Sequence, residues 1–149
     1  MKLDDKIGLK LIGKSEDDIK TISAYLQDSV ATIKNIVFLK KNRTFLMLVS
    51  RFMWEDMEKG AFRSNKRIKC AVKFEEVIKA ESYNINQKNK KKILEFLAIK
   101  CKLNLNELFE IKIFFSGGGI ITLISESIDI ILDDFGEPWN VKYVPKHKI

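Results

Sequence analysis

The sequence predicts an α+β domain made mainly of antiparallel β-sheet, with about seven strands that curl towards a barrel. One helical pattern lies near the N-terminus, at residues 16–28. Most other apolar segments are short, and several alternate with a period of two, as half-buried strands do. A chain of 149 residues fits one domain of ordinary size. Residues 1–149 are therefore predicted to form a single domain.

The N-terminal segment predicts a strand followed by this helix. Ile7, Leu9 and Leu11 alternate with polar residues or glycine, which is the strand pattern. Ser15 is a suitable N-cap because its hydroxyl can accept a hydrogen bond from a free backbone N–H of the first turn. The three acidic residues that follow place negative charge at the positive end of the helix. Apolar residues at helical spacing then extend the prediction to residue 28.

The middle of the chain predicts three strands. Residues 36–40 and 44–52 flank a polar turn, and the second of these segments is apolar on both faces, as a central strand is. Residues 68–75 form a one-sided strand pattern. Its phase slips at residues 75–78, which predicts a β-bulge there.

The C-terminal half predicts further strands, a loop and one ambiguous element. Residues 84–92 are polar and aperiodic and predict a long exposed loop. Residues 124–135 fit both a helix and a strand, and the pattern slightly favours a short helix. Gly117, Gly118 and Gly119 predict a hairpin turn, because glycine reaches the positive φ that such turns require. The remaining strands are predicted at residues 93–103, 108–115 and 120–124.

Composition places the chain among globular proteins. Hydrophobic residues make up 46% and charged residues 32% of the sequence, so a core can form. No apolar run approaches the ~20 residues that span a bilayer, and the N-terminal residues do not resemble a signal peptide. We expect a cytoplasmic protein without membrane contact. The two cysteines, Cys70 and Cys101, lie in strand-like apolar segments and are predicted to be reduced, buried thiols.

The formal net charge of +7 leaves two interpretations open. A basic surface is typical of proteins that bind nucleic acid. The positive charge is mostly lysine, however, and an AT-rich genome favours Lys, Asn and Ile through its codons. Under such a bias, the arginines, glycines and tryptophans that remain are the residues most indicative of a physical role.

Four segments together resemble a known family. They are ISAYLQD (22–28), LVSRFMWE (48–55), FSGGG (115–119) and LDDFGEPW (132–139). In this order and spacing they are similar to the DUF2948 family, an alphaproteobacterial family of unknown function, over nearly the whole chain. The resemblance implies a bacterial, cytoplasmic, single-domain protein with no assigned activity or cofactor. The family often has histidine at the position of Tyr25, so histidine chemistry at that site does not carry over to this chain.

The sequence offers no catalytic or metal-binding constellation. His147 is the single histidine and lies near the C-terminus, so a nucleophile elsewhere would have no histidine base. The glycines at 117–119 are not followed by the Lys-Ser/Thr pair of a phosphate-binding loop. Asp129 and Asp133 would share a helix face, but a solvated acidic face explains that spacing better than a cation site. We expect no cofactor and no metal.

The leading hypothesis is a non-catalytic protein-binding or adaptor module with an unknown protein partner. Its candidate binding residues are Arg51, Trp54, Gly117, Gly118, Gly119 and Trp139. Arg51 should point to the apolar side of its strand, where a guanidinium needs a carboxylate. The predicted partners are Glu55 or one of Glu126, Asp129 and Asp133.

The alternative hypothesis is RNA binding through a lysine cluster next to Tyr83, which could stack on a base. The cluster consists of Lys88, Lys90, Lys91 and Lys92. An enzyme that uses carboxylates alone or a bound cofactor is the third alternative.

Overall fold

The computed structural model describes residues 8–57 and 65–145, which contain ten strands and two α-helices. The elements are β1 (Lys10–Gly13), α1 (Glu16–Leu26), β2 (Val30–Thr32), β3 (Ile36–Leu39), β4 (Thr44–Phe52), α2 (Trp54–Met57), β5 (Lys66–Phe74), β6 (Val77–Tyr83), β7 (Ile93–Leu103), β8 (Phe109–Phe115), β9 (Ile120–Ser125) and β10 (Ile130–Asn140). Neither helix of the described ranges is long and apolar enough to cross a membrane.

The ten strands of the described residues form one antiparallel sheet. Its order is β1-β10-β5-β4-β2-β7-β8-β9-β6, and β3 pairs with β4 beside this path. The mostly antiparallel α+β class with one helix near the N-terminus is confirmed. The predicted number of about seven strands is wrong, and the sheet is not closed into a barrel, since its order ends at β1 and β6.

Helix α1 begins where the sequence predicts it. The Ser15 hydroxyl accepts a hydrogen bond from the backbone N–H of Asp18 at 3.2 Å. The Asp18 carboxylate in turn accepts one from the Lys14 backbone N–H, which lowers the pKa of Asp18. The helix ends at Leu26 rather than at residue 28, because Gln27 leaves the helical conformation and Asp28 adopts a left-handed one with φ 62°.

One hydrophobic core joins α1 to both halves of the sheet. The apolar face of α1 contributes Ile19, Ile22 and Leu26, all buried. The inner faces of β4, β5 and β10 and of β7, β8 and β9 supply most of the remaining buried side chains. Backbone hydrogen bonds fix the end of α1 on β7, since Asp28 donates to the carbonyl of Phe96 and Phe96 donates to that of Ser29.

The two halves of the sheet meet at a narrow joint. Strand β2 pairs with β4 at one position, Val30 with Ser50, and with β7 along its whole length. After β2 a 3₁₀ turn at Ile33–Asn35 displaces the chain, and β3 then pairs with the first half of β4. The joint is short because this turn interrupts what would otherwise be one long strand beside β4.

Residues 124–135 contain no helix, although a helix was slightly favoured: residues 124–125 end β9, residues 126–129 connect the two strands, and β10 begins at Ile130. Ile130 and Leu132 are buried, and β10 pairs with β5 on one side and with β1 on the other. Local periodicity was ambiguous here. Two neighbouring strands decide the outcome, because they satisfy the backbone of β10 on both sides.

Two smaller predictions concern strand ends. The phase slip at residues 75–78 contains a turn at Glu76, which is left-handed with φ 58°, and then the predicted irregularity, since the register of β6 against β9 shifts between Val77 and Lys79. In the described residues strand β1 begins at Lys10, one residue after the predicted strand position Leu9, and Ile7 lies outside the described residues.

Candidate functional site

Arg51 is the centre of a buried ion-pair cluster at the end of β4. Its side chain is 0% exposed. The guanidinium donates to Asp134 through Nε at 2.8 Å and Nη2 at 2.6 Å, and to Glu55 through Nη1 at 2.9 Å and Nη2 at 2.6 Å. A further bond runs from Nη1 to the carbonyl of Phe52 at 3.2 Å. The guanidinium carbon also lies 5.9 Å from the centre of the Tyr25 ring. This planar fork makes a parallel pair of hydrogen bonds to each of two carboxylates, which the ammonium of lysine cannot do.

Asp134 is the fully buried carboxylate of this cluster. Its Oδ2 also accepts the backbone N–H of Leu9 at 2.7 Å, so the carboxylate attaches the segment before β1 to the core. A Cβ added to Gly8 would lie 2.3 Å from Asp134 Cβ. Only glycine therefore lets the chain pass this close to Asp134.

The predicted orientation of Arg51 and its pairing with Glu55 are confirmed, but the other predicted partners are wrong. Glu126 pairs with Arg43, and Asp129 pairs with Lys14 at 3.3 Å. Asp133 has strand parity opposite to that of Asp134 and lies opposite Ala71 and Lys10 in the register. Because residues 129–133 are not helical, Asp129 and Asp133 do not share a helix face either.

Burial and neighbouring charges shift the pKa values of two adjacent groups, the Arg51 guanidinium and the Cys70 thiol. Burial by itself would lower the pKa of Arg51, but the hydrogen bonds and charges of Asp134 and Glu55 outweigh it and raise that pKa. Burial raises the pKa of the Cys70 thiol, and the adjacent Asp134 carboxylate raises it further. The guanidinium therefore stays charged and the thiol stays neutral. Cys70 is not an activated nucleophile.

The second cysteine is also a free thiol. Cys101 is half-buried on β7, and burial raises its pKa to about 11. Neither cysteine forms a disulfide in the described residues, as the sequence predicts, and of the two only Cys70 is fully buried. His147 lies outside the described residues.

Trp54 lies at the start of α2, next to the Arg51 cluster. Its indole Nε1–H donates to the carbonyl of Gln27 at 2.9 Å, and its ring centre lies 4.6 Å from that of Phe52. Trp54, Tyr25 and Glu55 line a surface notch of about 400 Å³ together with Lys20, Thr21 and Ala24. Arg51 is thus buried behind this notch and supports Glu55 from inside.

Trp139 lies in a different place, on the outer face of the sheet. It is 39% exposed and lines a groove of about 530 Å³. The other lining residues are Val30, Ala31, Thr32, Asn35, Leu48, Val49, Ser50, Lys69, Ile93 and Phe135. The groove lies over the joint at which β2 and β3 pair with different parts of β4.

Strand parity shows that Trp139 and Arg51 belong to opposite faces of the sheet. Phe135, Lys69 and Ser50 form one cross-strand row that lines the groove. Asp134, which binds Arg51, precedes Phe135 and points inwards. The register shift between Phe135 and Trp139 accommodates Gly136, Glu137 and Pro138 as a bulge and sets the position of Trp139 along the groove.

The glycines occupy a third location. Gly117 and Gly118 have φ of 82° and 88°, and the Phe115 N–H donates to the Gly119 carbonyl, so the predicted hairpin turn between β8 and β9 is confirmed. The turn contacts the segment after β6, where Asn84 Nδ2 donates to the Gly117 carbonyl at 3.3 Å. These contacts explain the glycines as a structural turn.

The lysine loop after β6 is exposed, as predicted, and is also hydrogen-bonded to the 3₁₀ turn that follows β2. The backbone N–H groups of Ile33 and Lys34 donate to the carbonyls of Lys92 and Lys90 at 2.9 and 3.0 Å. Lys88, Lys90, Lys91 and Lys92 are all exposed, and Tyr83 at the start of the loop is 70% exposed.

The sequence-predicted binding residues therefore do not converge on one site. Arg51 and Trp54 share a neighbourhood, Trp139 lines the outer groove, and the glycine turn and lysine loop follow other strands. Three residues of the cluster and the groove were not predicted from the sequence. Asp134 could have been found from strand parity with Ile130 and Leu132. Phe135 and Lys69 had no local signal, because only the register of β5 and β10 places them side by side.

These features define an open antiparallel β-sheet domain with one covering helix, a buried arginine–carboxylate cluster and an apolar outer groove. The chain belongs to the DUF2948 family, whose description is "Protein of unknown function", and the match covers residues 9–147. Comparison with curated proteins and with solved structures finds no similar protein.

Proposed function

We propose that this chain is a bacterial, cytoplasmic, single-domain and non-catalytic module that binds a protein partner through the outer groove. The occupant is an extended segment of that partner with apolar and acidic side chains. The observation that carries the proposal is the groove itself, an open apolar concavity that contains Trp139.

The floor and walls of the groove supply the apolar part of the interface. Leu48 and Phe135 are partly exposed there, at 36% and 43%, and Ile93 is exposed as well. Large apolar side chains that remain exposed side by side are typical of binding surfaces, and tryptophan is enriched among the residues that dominate binding energy. A partner segment would remove this apolar surface from water.

The lysines on the outer face of the sheet predict acidic side chains in the partner segment. Lys69 is exposed, lines the groove, and among the described residues makes no ion pair. In the same outer face Lys73 lies next to Ile131 and Leu46 in the register. An ammonium group between apolar side chains favours a partner carboxylate and disfavours a partner cation. The chain's net charge of +7 adds long-range attraction for an acidic segment.

Selection of random 12-residue peptides against the folded protein tests this proposal. We expect enriched peptides to combine large apolar residues with Asp or Glu. Trp139→Ala and Lys69→Glu should each weaken their binding at least about tenfold, because the first removes the apolar anchor and the second reverses the charge. Isothermal titration calorimetry measures both changes.

The matched control is Lys100→Glu, which makes the same charge change on β7, away from the groove. It should leave the affinity of the peptides within about twofold, since an exposed distant charge is screened. Basic peptides, peptides insensitive to both groove variants, or a failure to enrich any peptide would each refute the proposal.

RNA binding is the second candidate, and one observation favours it. The backbone bonds between the 3₁₀ turn and the lysine loop place Lys34 beside Lys90 and Lys92. Together with Lys88 and Lys91 this gives a cluster of five lysines on an anchored loop, next to the exposed ring of Tyr83. Such a cluster could track a phosphate backbone while the ring stacks on a base.

Salt dependence tests the RNA proposal. For single-stranded RNA, log K should fall with log salt by about 0.7 per phosphate contact. Replacing Lys88, Lys90, Lys91 and Lys92 with Ser should flatten that slope by about 3 if each lysine contacts one phosphate. Lys100→Ser with Lys112→Ser, on β7 and β8, is the control and should change the slope little. An absence of binding at low salt would exclude the proposal.

A further inference from the structure

The notch beside α1 has two aromatic walls and one carboxylate. Tyr25 lies on α1, Trp54 begins α2, and Glu55 follows Trp54 in the chain. The notch has a volume of about 400 Å³ and is open to solvent. Lys20, Thr21 and Ala24 form the rest of its lining. This combination is independent of the outer groove.

Hydrogen bonds hold the walls of the notch in place. The Trp54 indole is fixed by the Gln27 carbonyl, and both Glu55 oxygens are fixed by Arg51. Tyr25 stands over the Arg51 guanidinium at 5.9 Å. A ligand would therefore meet side chains that are already ordered, which lowers the entropic cost of binding.

Within the part of the chain that the structure describes, the cluster behind the notch has more negative than positive charges. One guanidinium, that of Arg51, pairs with two carboxylates, those of Asp134 and Glu55. The described cluster therefore carries one excess negative charge. Asp134 is fully buried, whereas the side chain of Glu55 is 14% exposed and lines the notch, so the excess charge is accessible there.

We propose that the notch binds an organic cation, namely a primary or quaternary ammonium group. Aromatic faces attract such cations through the negative charge of their π-systems, and a neighbouring carboxylate adds direct Coulomb attraction. The group is carried either by a small molecule or by a basic side chain of another protein. Both carry the same chemistry into the notch.

Lys20 allows a test in which the direction of the change in affinity is predicted. It lines the notch, and its ammonium is exposed and only 3.9 Å from Asp17 within α1. A positive charge at the rim opposes an incoming cation. Lys20→Gln should therefore strengthen cation binding, which a purely apolar pocket would not predict.

The indole N–H resonances provide the readout, because the chain has two tryptophans and one lines each concavity. In an NMR titration with choline we expect the Trp54 signal to shift with a Kd of about 1 to 10 mM, while the Trp139 signal stays in place. The uncharged isostere 3,3-dimethyl-1-butanol should bind at least about fivefold more weakly.

Variants separate this role from folding. Glu55→Gln should weaken choline binding at least about fivefold, with Lys100→Gln as the unaffected control. Because Glu55→Gln also alters the Arg51 cluster, Tyr25→Leu serves as a second variant that retains both carboxylates and should weaken binding similarly. Circular dichroism verifies that each variant is folded.

Peptides distinguish the two sources of the cation. A capped Gly-Lys-Gly peptide or its trimethyllysine form that binds more tightly than choline assigns the notch to a partner side chain. Weaker binding of both peptides assigns it to a small molecule. Equal binding of choline and its uncharged isostere, no shift of Trp54, or weaker binding in Lys20→Gln overturns the proposal, and none of these results affects the outer groove.

Discussion

Replacing Arg51 with methionine is expected to lower the free energy of unfolding by about 3 to 5 kcal/mol, the usual cost of removing one member of a buried ion pair. Among the described residues, the guanidinium is the one cation that pairs with Asp134 and Glu55. Without it, the fully buried Asp134 carboxylate retains its hydrogen bond from Leu9 but loses its counter-charge. Urea denaturation followed by circular dichroism measures the change.

Arg51→Lys should have an intermediate effect, about 1 to 3 kcal/mol, because an ammonium keeps the charge but cannot make parallel bonds to two carboxylates. The matched control is Arg43→Lys. Arg43 is partly exposed and pairs with Glu126 and Glu76 at the surface. Its replacement should cost less than about 1 kcal/mol. Similar losses in Arg51→Lys and Arg43→Lys would show that the buried geometry contributes nothing beyond charge.

Phe96→Ala is expected to destabilise the protein by about 3 to 5 kcal/mol, as deletion of a buried aromatic ring does. Phe96 is 2% exposed on β7 and packs edge-on against Phe115, with ring centres 6.4 Å apart. Both tryptophans lie on the other side of the narrow joint, at the ends of β4 and β10. Tryptophan fluorescence therefore reports whether damage in one half of the sheet unfolds the other.

We expect the fluorescence and circular dichroism transitions of Phe96→Ala to shift together, because α1 and the shared core couple the halves. Leu97→Ala is the control on the same strand. Leu97 points to the opposite face and is 45% exposed, so its truncation should cost less than about 1 kcal/mol. A fluorescence transition that stays at the wild-type midpoint would mean that the halves unfold independently.

Elements with local signals could be predicted from the sequence. Helix α1 has its cap, its acidic first turn and its apolar face within one short segment, so its start was predicted correctly. The hairpin turn at Gly117 to Gly119 likewise depends on local backbone conformation. The contact with Asn84 supports this turn but was not needed to predict it.

Elements that depend on distant partners could not be predicted. Residues 130–134 fit two periodicities, and pairing with both β5 and β1 makes them a strand. That same pairing turns Asp134 towards Arg51, so the ambiguity over β10 also concealed the second partner of the arginine. The parity of β4 did predict that Arg51 points inwards, because parity is a local property.

The proposed binding surfaces could not be predicted either, because their residues come together only in the tertiary structure. Trp139 could be named from the sequence as a candidate, but Lys69 and Phe135, which line the groove with it, lie far apart in the chain and meet through strand register. Tyr25 and Trp54 line the same notch because α1 ends and α2 begins near Arg51. No spacing rule within the sequence connects these pairs.

An open sheet, unlike a closed barrel, has edge strands that can pair with other molecules of the same chain. Its outermost strands present backbone groups on which a foreign strand could grow, a common route to aggregation. Among the described strands these are β1, with four residues, and β6, where Lys79 and Glu81 pair at 2.9 Å in the exposed part of the strand. A short edge offers few bonds, and a charged one resists a dry interface. The two ends of the strand order are therefore poor templates for intermolecular β-structure, whereas β3, which pairs only with β4 among the described strands, is a third edge.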